Sequence, residues 1–516
     1  MSGAAMGLAN VYQNPDARRF AKLMFLVGFG VETSRVAQTT FFLQSAGADQ
    51  LPLVFVAFAV AMACASSIYA SAALKMPLAT LASIATGAAA ALISTAWILI
   101  LMGVRNAVLA YSFYCVVEMC FIFLPLTLWA VANQAFSAED AERYLPPIAA
   151  FGLMGAVTGG LITRSAVAFI GPYNTLPLAV AGYCVCVFLT RQIPPPEHRT
   201  MMSARVLRER PVFSEPIVAT LVYISIPLFF LAYVIEFMYY TTIGQVVASA
   251  TDQSQFISTF GIFCSITAVV AQVWLTPLLF RRIGVGTTAF IYPSALALGS
   301  FLALVYALYL GSRGPGAGAP TILFALFVLC ARALDIVLYQ SVYDSTTNIL
   351  YYAVPARTRT KARSLVGGIM FPASVACSGL LLLSFNYFEQ PMYNVAFTAV
   401  AVGFLVMVMA MDIRPDYLRS LLANSDRGNV KARRALMDEI ARLSLSESRV
   451  LLLESLQTDR EDEALFAVEK LLDTYDHFLL EDLQEIKQRI QPSVMAALAK
   501  AMEARGISAE ARLLLA

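Results

Sequence analysis

About twelve stretches of the chain are apolar for long enough to cross a bilayer, and polar or turn-forming sequence separates them. They run over 20–43, 51–73, 78–102, 107–132, 145–170, 173–190, 217–245, 256–280, 285–311, 319–350, 361–384 and 392–412. A hydrocarbon core of about 30 Å needs about 20 apolar residues in a helix, so the pattern predicts about twelve transmembrane helices. Seven charged residues break the apolar runs: Glu32, Arg35, Glu118, Glu236, Arg332, Asp335 and Asp344. These seven fall only on the first, fourth, seventh and tenth segments; Arg164, towards the outer side of the fifth, is expected to snorkel to the interface. A charge at mid-bilayer depth costs roughly 2.5–3.5 kcal/mol on insertion scales, so such groups face a partner or a water-filled cavity. The pattern predicts a buried polar pathway built from four helices.

Composition agrees: 59% hydrophobic and 14% charged residues over 516 positions, with mean hydropathy +0.69, mark a polytopic membrane protein. Basic residues occupy every second loop, at Arg18, Arg19 and Lys22, Lys75, Arg143, Arg191 to Arg210, Arg281 and Arg282, and Arg357 to Arg363. Basic residues collect on the cytoplasmic side, which places both termini there and predicts a bacterial inner-membrane protein. Arg18, Arg19 and Lys22 lead into a full-length span rather than a short cleavable one, so the first helix is expected to stay. These residues are topology signals, and the net charge of +2 adds no argument for a nucleic-acid partner. The eight cysteines lie within spans, where small apolar packing is their expected role and no disulfide is predicted. No zinc spacing, phosphate-binding glycine loop or catalytic triad occurs, so neither a metal, a cofactor nor an enzymatic role is expected.

The chain also repeats. Glu32 is followed by Ser45-Ala46-Gly47-Ala48-Asp49-Gln50, and Glu236, at almost the same distance, by Ala248-Ser249-Ala250-Thr251-Asp252-Gln253. Val117-Glu118 and Leu334-Asp335 open comparable stretches that lead to Asn133 or Asn348, to Arg143 or Arg363, and then to a glycine-rich helix. The expected fold is all-α, with two pseudo-symmetric six-helix halves over 1–190 and 217–413, joined by a Pro- and Arg-rich linker over 191–216. Small residues let helices approach closely in lipid. Gly152, Gly155, Gly159 and Gly160 on the fifth helix, and Gly367, Gly368 and Gly379 on the eleventh, are therefore expected to form the interfaces between halves. Pro125, Pro227, Pro277 and Pro372 are candidate points of bending.

The segments Ala132-Asn133-Gln134-Ala135-Phe136 to Ala141-Glu142-Arg143-Tyr144-Leu145-Pro146 with Gly152, and Tyr343-Asp344 to Leu350-Tyr351 with Arg359-Thr360-Lys361-Ala362-Arg363, resemble the ATP/ADP translocases. These are nucleotide transporters of plastids and intracellular bacteria. The resemblance implies a major-facilitator-type bundle over roughly the first four-fifths of the chain, with the first, fourth, seventh and tenth helices around a central cavity. It also implies transport of a nucleotide by exchange or proton coupling. That family places lysines in the pathway to hold phosphates; the first span here has Arg35 beside Glu32.

Glu32 and Arg35, like Arg332 and Asp335, are three residues apart and can pair along one helical face. Arg35 and Arg332 are the candidates for gripping a phosphate or carboxylate, since guanidinium does so bidentately. Glu118 and Glu236 lack a partner on their own helices and are the candidates for proton coupling; Asp344 is a gate or a loop anchor. The acids outnumber the arginines, which opposes a polyanionic solute. Tyr223, Tyr233, Tyr239, Tyr240, Tyr339 and Tyr343 either stack on a ring of the solute or pack together. Beyond Arg414 the chain turns charged and helix-favouring, and the segment 414–516 is expected to form a small cytoplasmic domain of HEAT-like helical repeats that binds a protein or the transporter itself. The leading function is a secondary transporter of an organic solute. The alternatives are a lipid or lipid-headgroup flippase, and a non-transporting scaffold or sensor that acts through its tail.

Overall fold

The computed structural model describes residues 14–136, 138–193, 215–247, 249–312, 322–354 and 356–423, isolated positions between 452 and 487, and 490–504. Within them the chain is helical throughout. The first half holds α1 (Pro15–Ser45), α2 (Leu51–Lys75), α3 (Leu78–Leu101), α4 (Ala107–Ala135), α5 (Ala138–Ile170) and α6 (Leu176–Arg191). The second holds α7 (Pro216–Val246), α8 (Ala250–Thr288), α9 (Ile291–Ser312), α10 (Ile322–Leu350), α11 (Ala356–Tyr387) and α12 (Met392–Ala410). A short α13 (Ile413–Ala423) follows, and α14 (Pro492–Ala504) lies near the C-terminus.

Eleven of the described helices are long and apolar enough to cross a membrane. The long helix that falls short of that measure is α1, and the reason is its middle. Thr33, Ser34, Gln38, Thr39 and Thr40 follow Glu32 in one polar run, yet each of these five is at most 3% exposed. Protein rather than lipid surrounds them, as α1 is packed among α4, α5, α6 and α8. Polar groups at membrane depth are tolerated under that condition.

Local chemistry fixes the helix starts. The Asn14 side chain accepts from the N–H groups of Asp16 (2.9 Å) and Ala17 (3.2 Å), with Pro15 at the first helical position. Asn106 caps α4 through Leu109 N at 2.9 Å. At the far end of α1 the turn needs a left-handed residue and has Gly47 at φ 84°.

Three helices of the second half carry a π-helical turn: Ala271–Leu275 in α8, Tyr339–Tyr343 in α10 and Val366–Met370 in α11. Pro277 and Pro372 follow two of these turns at the first positions of the next α-helical segment. The widened turn accommodates the missing N–H, so these prolines mark register changes rather than free hinges. Pro125 and Pro227 stand inside their helices.

The halves meet along α5 with α8, α2 with α11, and α1 with α8. The glycines sort differently from the expectation. Gly152, Gly155 and Gly159 face α1 within their own half: a Cβ on Gly155 would sit 2.0 Å from Phe25 O, and one on Gly28 2.1 Å from Gly152 O. They form a backbone-to-backbone seam that holds the first half together, because in lipid close packing replaces the hydrophobic drive. Gly160, against Ile262 and Ser258 of α8, and Gly379, against Pro52 and Val56 of α2, are the ones between halves; Gly367 and Gly368 face open space.

Cys64, Cys184, Cys330 and Cys377 are exposed on the outer surface, so only Cys115, Cys120, Cys186 and Cys264 fill the packing role expected of all eight. α13 lies on the bundle: Ser420 Oγ accepts from Ile217 N at 3.1 Å, and Thr220 hydrogen-bonds Asp416. Most of the expected repeat domain and the 194–214 part of the linker lie outside the described residues.

Candidate functional site

The four helices that carry charge bring it to one place at the junction of the halves. On the first half, Arg35 of α1 reaches across to Glu118 of α4 with both arms, Nε to Oε1 at 2.9 Å and Nη2 to Oε2 at 3.2 Å. On the second, Arg332 of α10 holds Glu236 of α7 (Nη2 to Oε2, 2.6 Å) and Asp335 one turn along (Nη1 to Oδ2, 2.5 Å). Tyr292 of α9 donates to the other Asp335 oxygen at 2.8 Å. The Tyr114 hydroxyl of α4 donates to Glu236 Oε1 at 3.3 Å and so joins the two groups across the interface. Arg35, Arg332, Glu118 and Glu236 all lie within electrostatic reach of one another.

Glu118, Glu236, Arg332 and Asp335 are 3–5% exposed, while the Arg35 side chain is 24% exposed and stacks its guanidinium over the Phe121 ring at 4.6 Å. A buried charge costs several kcal/mol unless it is paired and hydrogen-bonded; Arg35 supplies that partner to Glu118, and Arg332 supplies it to Glu236 and Asp335. Glu118 and Glu236, without partners on their own helices, find them on neighbouring helices of the same half.

Glu32 stands apart. The expected pairing with Arg35 along α1 is not made, because the guanidinium points to Glu118 instead. Glu32 is half-buried and has no hydrogen bond or ion pair among the described residues. Its Oε1 lies against α8 of the other half, where a Cβ on Gly261 would come within 2.6 Å.

Asp344 is not in the cluster. It is exposed, just beyond the π-helical turn of α10. Arg363 of α11 exerts its charge on it, donates to Asn348 Oδ1 at 2.9 Å and covers the Tyr351 ring at 5.1 Å. The side chains of Asn133 and Arg143, the counterparts in the first half, lie outside the described residues.

Among the buried polar atoms without a partner are Arg332 Nε within the cluster, Thr33 Oγ1 next to Glu32 in the chain, and Nε2 of Gln38, a residue 0% exposed that lies between Arg35 and Phe42 along α1. Both of those neighbours meet α4, Arg35 at Glu118 and Phe42 at the Tyr111 and Tyr114 rings.

The tyrosines divide into three sets. Tyr339 and Tyr343 stack at 5.4 Å with planes 23° apart, on the π-helical turn, and Tyr292 and Phe229 pack on them. Phe371 continues the shelf to Tyr233, which meets Phe55 of the first half at 5.0 Å. Tyr239 and Tyr240 pair at 5.1 Å beside Phe260, whereas Tyr223 is 59% exposed on the outside.

Towards the face opposite the basic loops, uncharged groups join the halves. Thr40 and Ser254 hydroxyls lie 2.7 Å apart, and Gln44 Nε2 donates to Gln253 Oε1 at 3.0 Å. Gln253 in turn donates to Val247 O at 2.7 Å, and Asn386 Nδ2 to Asp49 O at 3.4 Å. The sequence reading missed this latch, Tyr114, Tyr292, Gln38 and Gly261. The one available signal was the recurring Asp-Gln at Asp49-Gln50 and Asp252-Gln253.

No protein family matches the chain by sequence, and no curated protein does. Solved structures match its fold. A nucleoside transporter, NupG, superposes with TM-score 0.53 at 14% identity, over 77% of this chain and 99% of that one. A D-xylose-proton symporter gives 0.55 at 12% identity, over 78% and 98%. A POT family transporter in complex with 5-aminolevulinic acid gives 0.52 at 13% identity, over 76% and 96%. The fold is therefore that of the major-facilitator-type transporters.

Proposed function

We propose that the protein is a secondary active transporter that moves a small organic solute by alternating access between its two halves. The observation that carries this reading is the buried charge cluster assembled from α1, α4, α7 and α10 on both sides of the interface between halves, bridged by Tyr114 and Glu236. Charge at that depth has a stability cost that a purely structural bundle would avoid. The roles we assign are these: Glu32, Arg35, Glu118, Glu236, Arg332 and Asp335 form the solute and coupling site, and Asp344 with Arg363 forms a contact at the basic-loop end of the second half. With basic loops on the cytoplasmic side of a bacterial inner membrane, the Thr40–Ser254 and Gln44–Gln253 latch closes the external face. This conformer then takes its solute from the cytoplasmic side.

The finer reading implied by resemblance was a nucleotide or another phosphorylated metabolite, held by Arg35 and Arg332. Both guanidiniums instead rest on carboxylates. The helical tail, as a HEAT-like module, would dock a protein, and α13 would tie it to the second half through Ile217 and Thr220.

The test is a cross-link. Cysteines in place of Thr40 and Ser254, joined in the full-length protein in proteoliposomes, are expected to abolish solute counterflow reversibly. Counterflow that continues at full rate with the latch joined would refute alternating access through this interface.

A further inference from the structure

We propose that the central site takes a planar nitrogen heterocycle without a phosphate, uncharged or carrying one positive charge, and that Glu32 selects it by accepting an N–H of the ring. The proposal rests on the transporter reading and specifies its substrate class.

Charge is the first argument. The cluster holds four carboxylates, Glu32, Glu118, Glu236 and Asp335, against two guanidiniums, and each guanidinium is already engaged. Beside these buried groups a di- or triphosphate would meet, among the described residues of the cluster, no guanidinium that is not already on a carboxylate, and at low dielectric like-charge repulsion exceeds that in water several-fold. Releasing Arg332 to a phosphate would strand two buried acids, and releasing Arg35 would strand one.

Unmet hydrogen-bonding capacity is the second. Glu32 presents an acceptor that α1 and α4 leave unpaired although Arg35 is one turn away. Arg332 Nε and Gln38 Nε2 present buried donors with nothing to receive them. Buried polar groups are rarely left so, since each costs about as much as a lost hydrogen bond. A ligand edge that alternates N–H with ring nitrogen or carbonyl oxygen matches one acceptor and two donors.

Aromatic rings are the third. The shelf formed by Phe229, Tyr339, Tyr343 and Phe371 adjoins Asp335 through Tyr292. Its stacked tyrosine pair sits on a π-helical turn, a local distortion that recurs at functional sites. Aromatic faces receive heterocycles by stacking whatever their substituents.

Gly261 shows that Glu32 has a reserved position. A Cβ there would meet Glu32 Oε1 at 2.6 Å, so a side chain on α8 at this point would push the carboxylate out of the place it now occupies.

The experiment uses the full-length protein with adenine, adenosine and ATP as probes, read by thermal shift in detergent and by competition for counterflow in proteoliposomes. Adenine or adenosine is expected to stabilise the wild type, with ATP at least 100-fold weaker. Glu32→Gln is expected to weaken that binding at least tenfold with an unchanged melting temperature of the empty protein, and Glu32→Asp to restore part of it. Gly261→Ala is expected to act in the same direction as Glu32→Gln. ATP binding as tight as adenosine, no binding by any probe, or indifference to Glu32→Gln would each overturn the proposal. Glu32-dependent binding without counterflow would leave the ligand class standing and refute the transporter reading; preferential counterflow of ATP would do the reverse.

Discussion

The two halves of the bundle start from the same acidic pattern and finish it differently. Repeat positions align Glu32 with Glu236 and Glu118 with Asp335. In the second half one arginine, Arg332, clamps both acids, and all three groups are at most 5% exposed. In the first half the arginine comes from α1 rather than from α10's counterpart, α4. Arg35 takes Glu118, leaves Glu32 unpaired and keeps its own side chain 24% exposed. Each half thus sets one guanidinium against two carboxylates, but in the second half the arginine binds both acids and in the first it leaves Glu32 without a bond. A pseudo-symmetric pair with identical knots would give no reason to prefer either half as a ligand's anchor; on the proposed reading this asymmetry favours α1.

Removing the clamps in turn should break the comparison most visibly. Arg332→Met strands Glu236 and Asp335 in a site with almost no access to water, and loss of one partner of a buried ion pair costs about 3–5 kcal/mol. The expected outcome is a large drop in melting temperature and in yield of folded protein. Arg35→Met strands only Glu118 and opens a more exposed position, so its drop should be clearly smaller. The triple change Arg332→Met, Glu236→Gln, Asp335→Asn should recover most of the stability while transport stays absent. Equal melting temperatures for the two arginine variants would show that the knots are equivalent.

The same asymmetry shows what was legible in the sequence. Spans, halves and the four charged helices could be read because each depends on local hydropathy or on a repeat, and α1's neutral polar run is buried by its neighbours while Glu32 and Arg35 are half-buried. Pairing could not be read, because it depends on helix rotation. Two i, i+3 pairs looked alike; Arg332 divides Nη1 and Nη2 between Asp335 on its own helix and Glu236 on α7, whereas Arg35 gives both Nε and Nη2 to Glu118 and makes no bond to Glu32. The glycines misled for a related reason: a small-residue stripe predicts close approach but not the partner, and Gly152, Gly155 and Gly159 approach α1 rather than the other half. The Tyr114 bridge is a single hydroxyl in an apolar run, with nothing local to mark it.

The glycine seam sharpens the comparison at the level of packing. The first half is held by backbone contact between α1 and α5, whereas no described glycine makes a comparable seam between α7 and α11. Gly155→Ala places a methyl 2.0 Å from Phe25 O, and overpacking of this kind typically costs about 1–3 kcal/mol. Gly367→Ala, at the eleventh-helix counterpart with nothing within 4 Å, should cost less than that. Thermal unfolding of the two variants in one detergent measures the difference; a Gly367→Ala protein less stable than Gly155→Ala would place the seam in the wrong half.

The latch tests how the unequal halves are joined. Gln44 of α1 and Gln253 of α8 join the halves at the face opposite the basic loops through a neutral hydrogen bond, and a net contribution of about 1 kcal/mol is expected from such a bond, because water replaces it when the face opens. Gln253 also donates to Val247 O, so its loss removes a contact inside the second half as well. Gln44→Ala should therefore shift the equilibrium towards a state open at this face by roughly fivefold, and Gln253→Ala by somewhat more. Spin labels at Ala46 and Gln255, on the two sides of this face, should report a longer mean distance in both variants with little change in melting temperature. If the distance distribution stays that of the wild type, the hydrogen bond is incidental and closure rests on the apolar contacts of Gly379 and Gly160 beneath it.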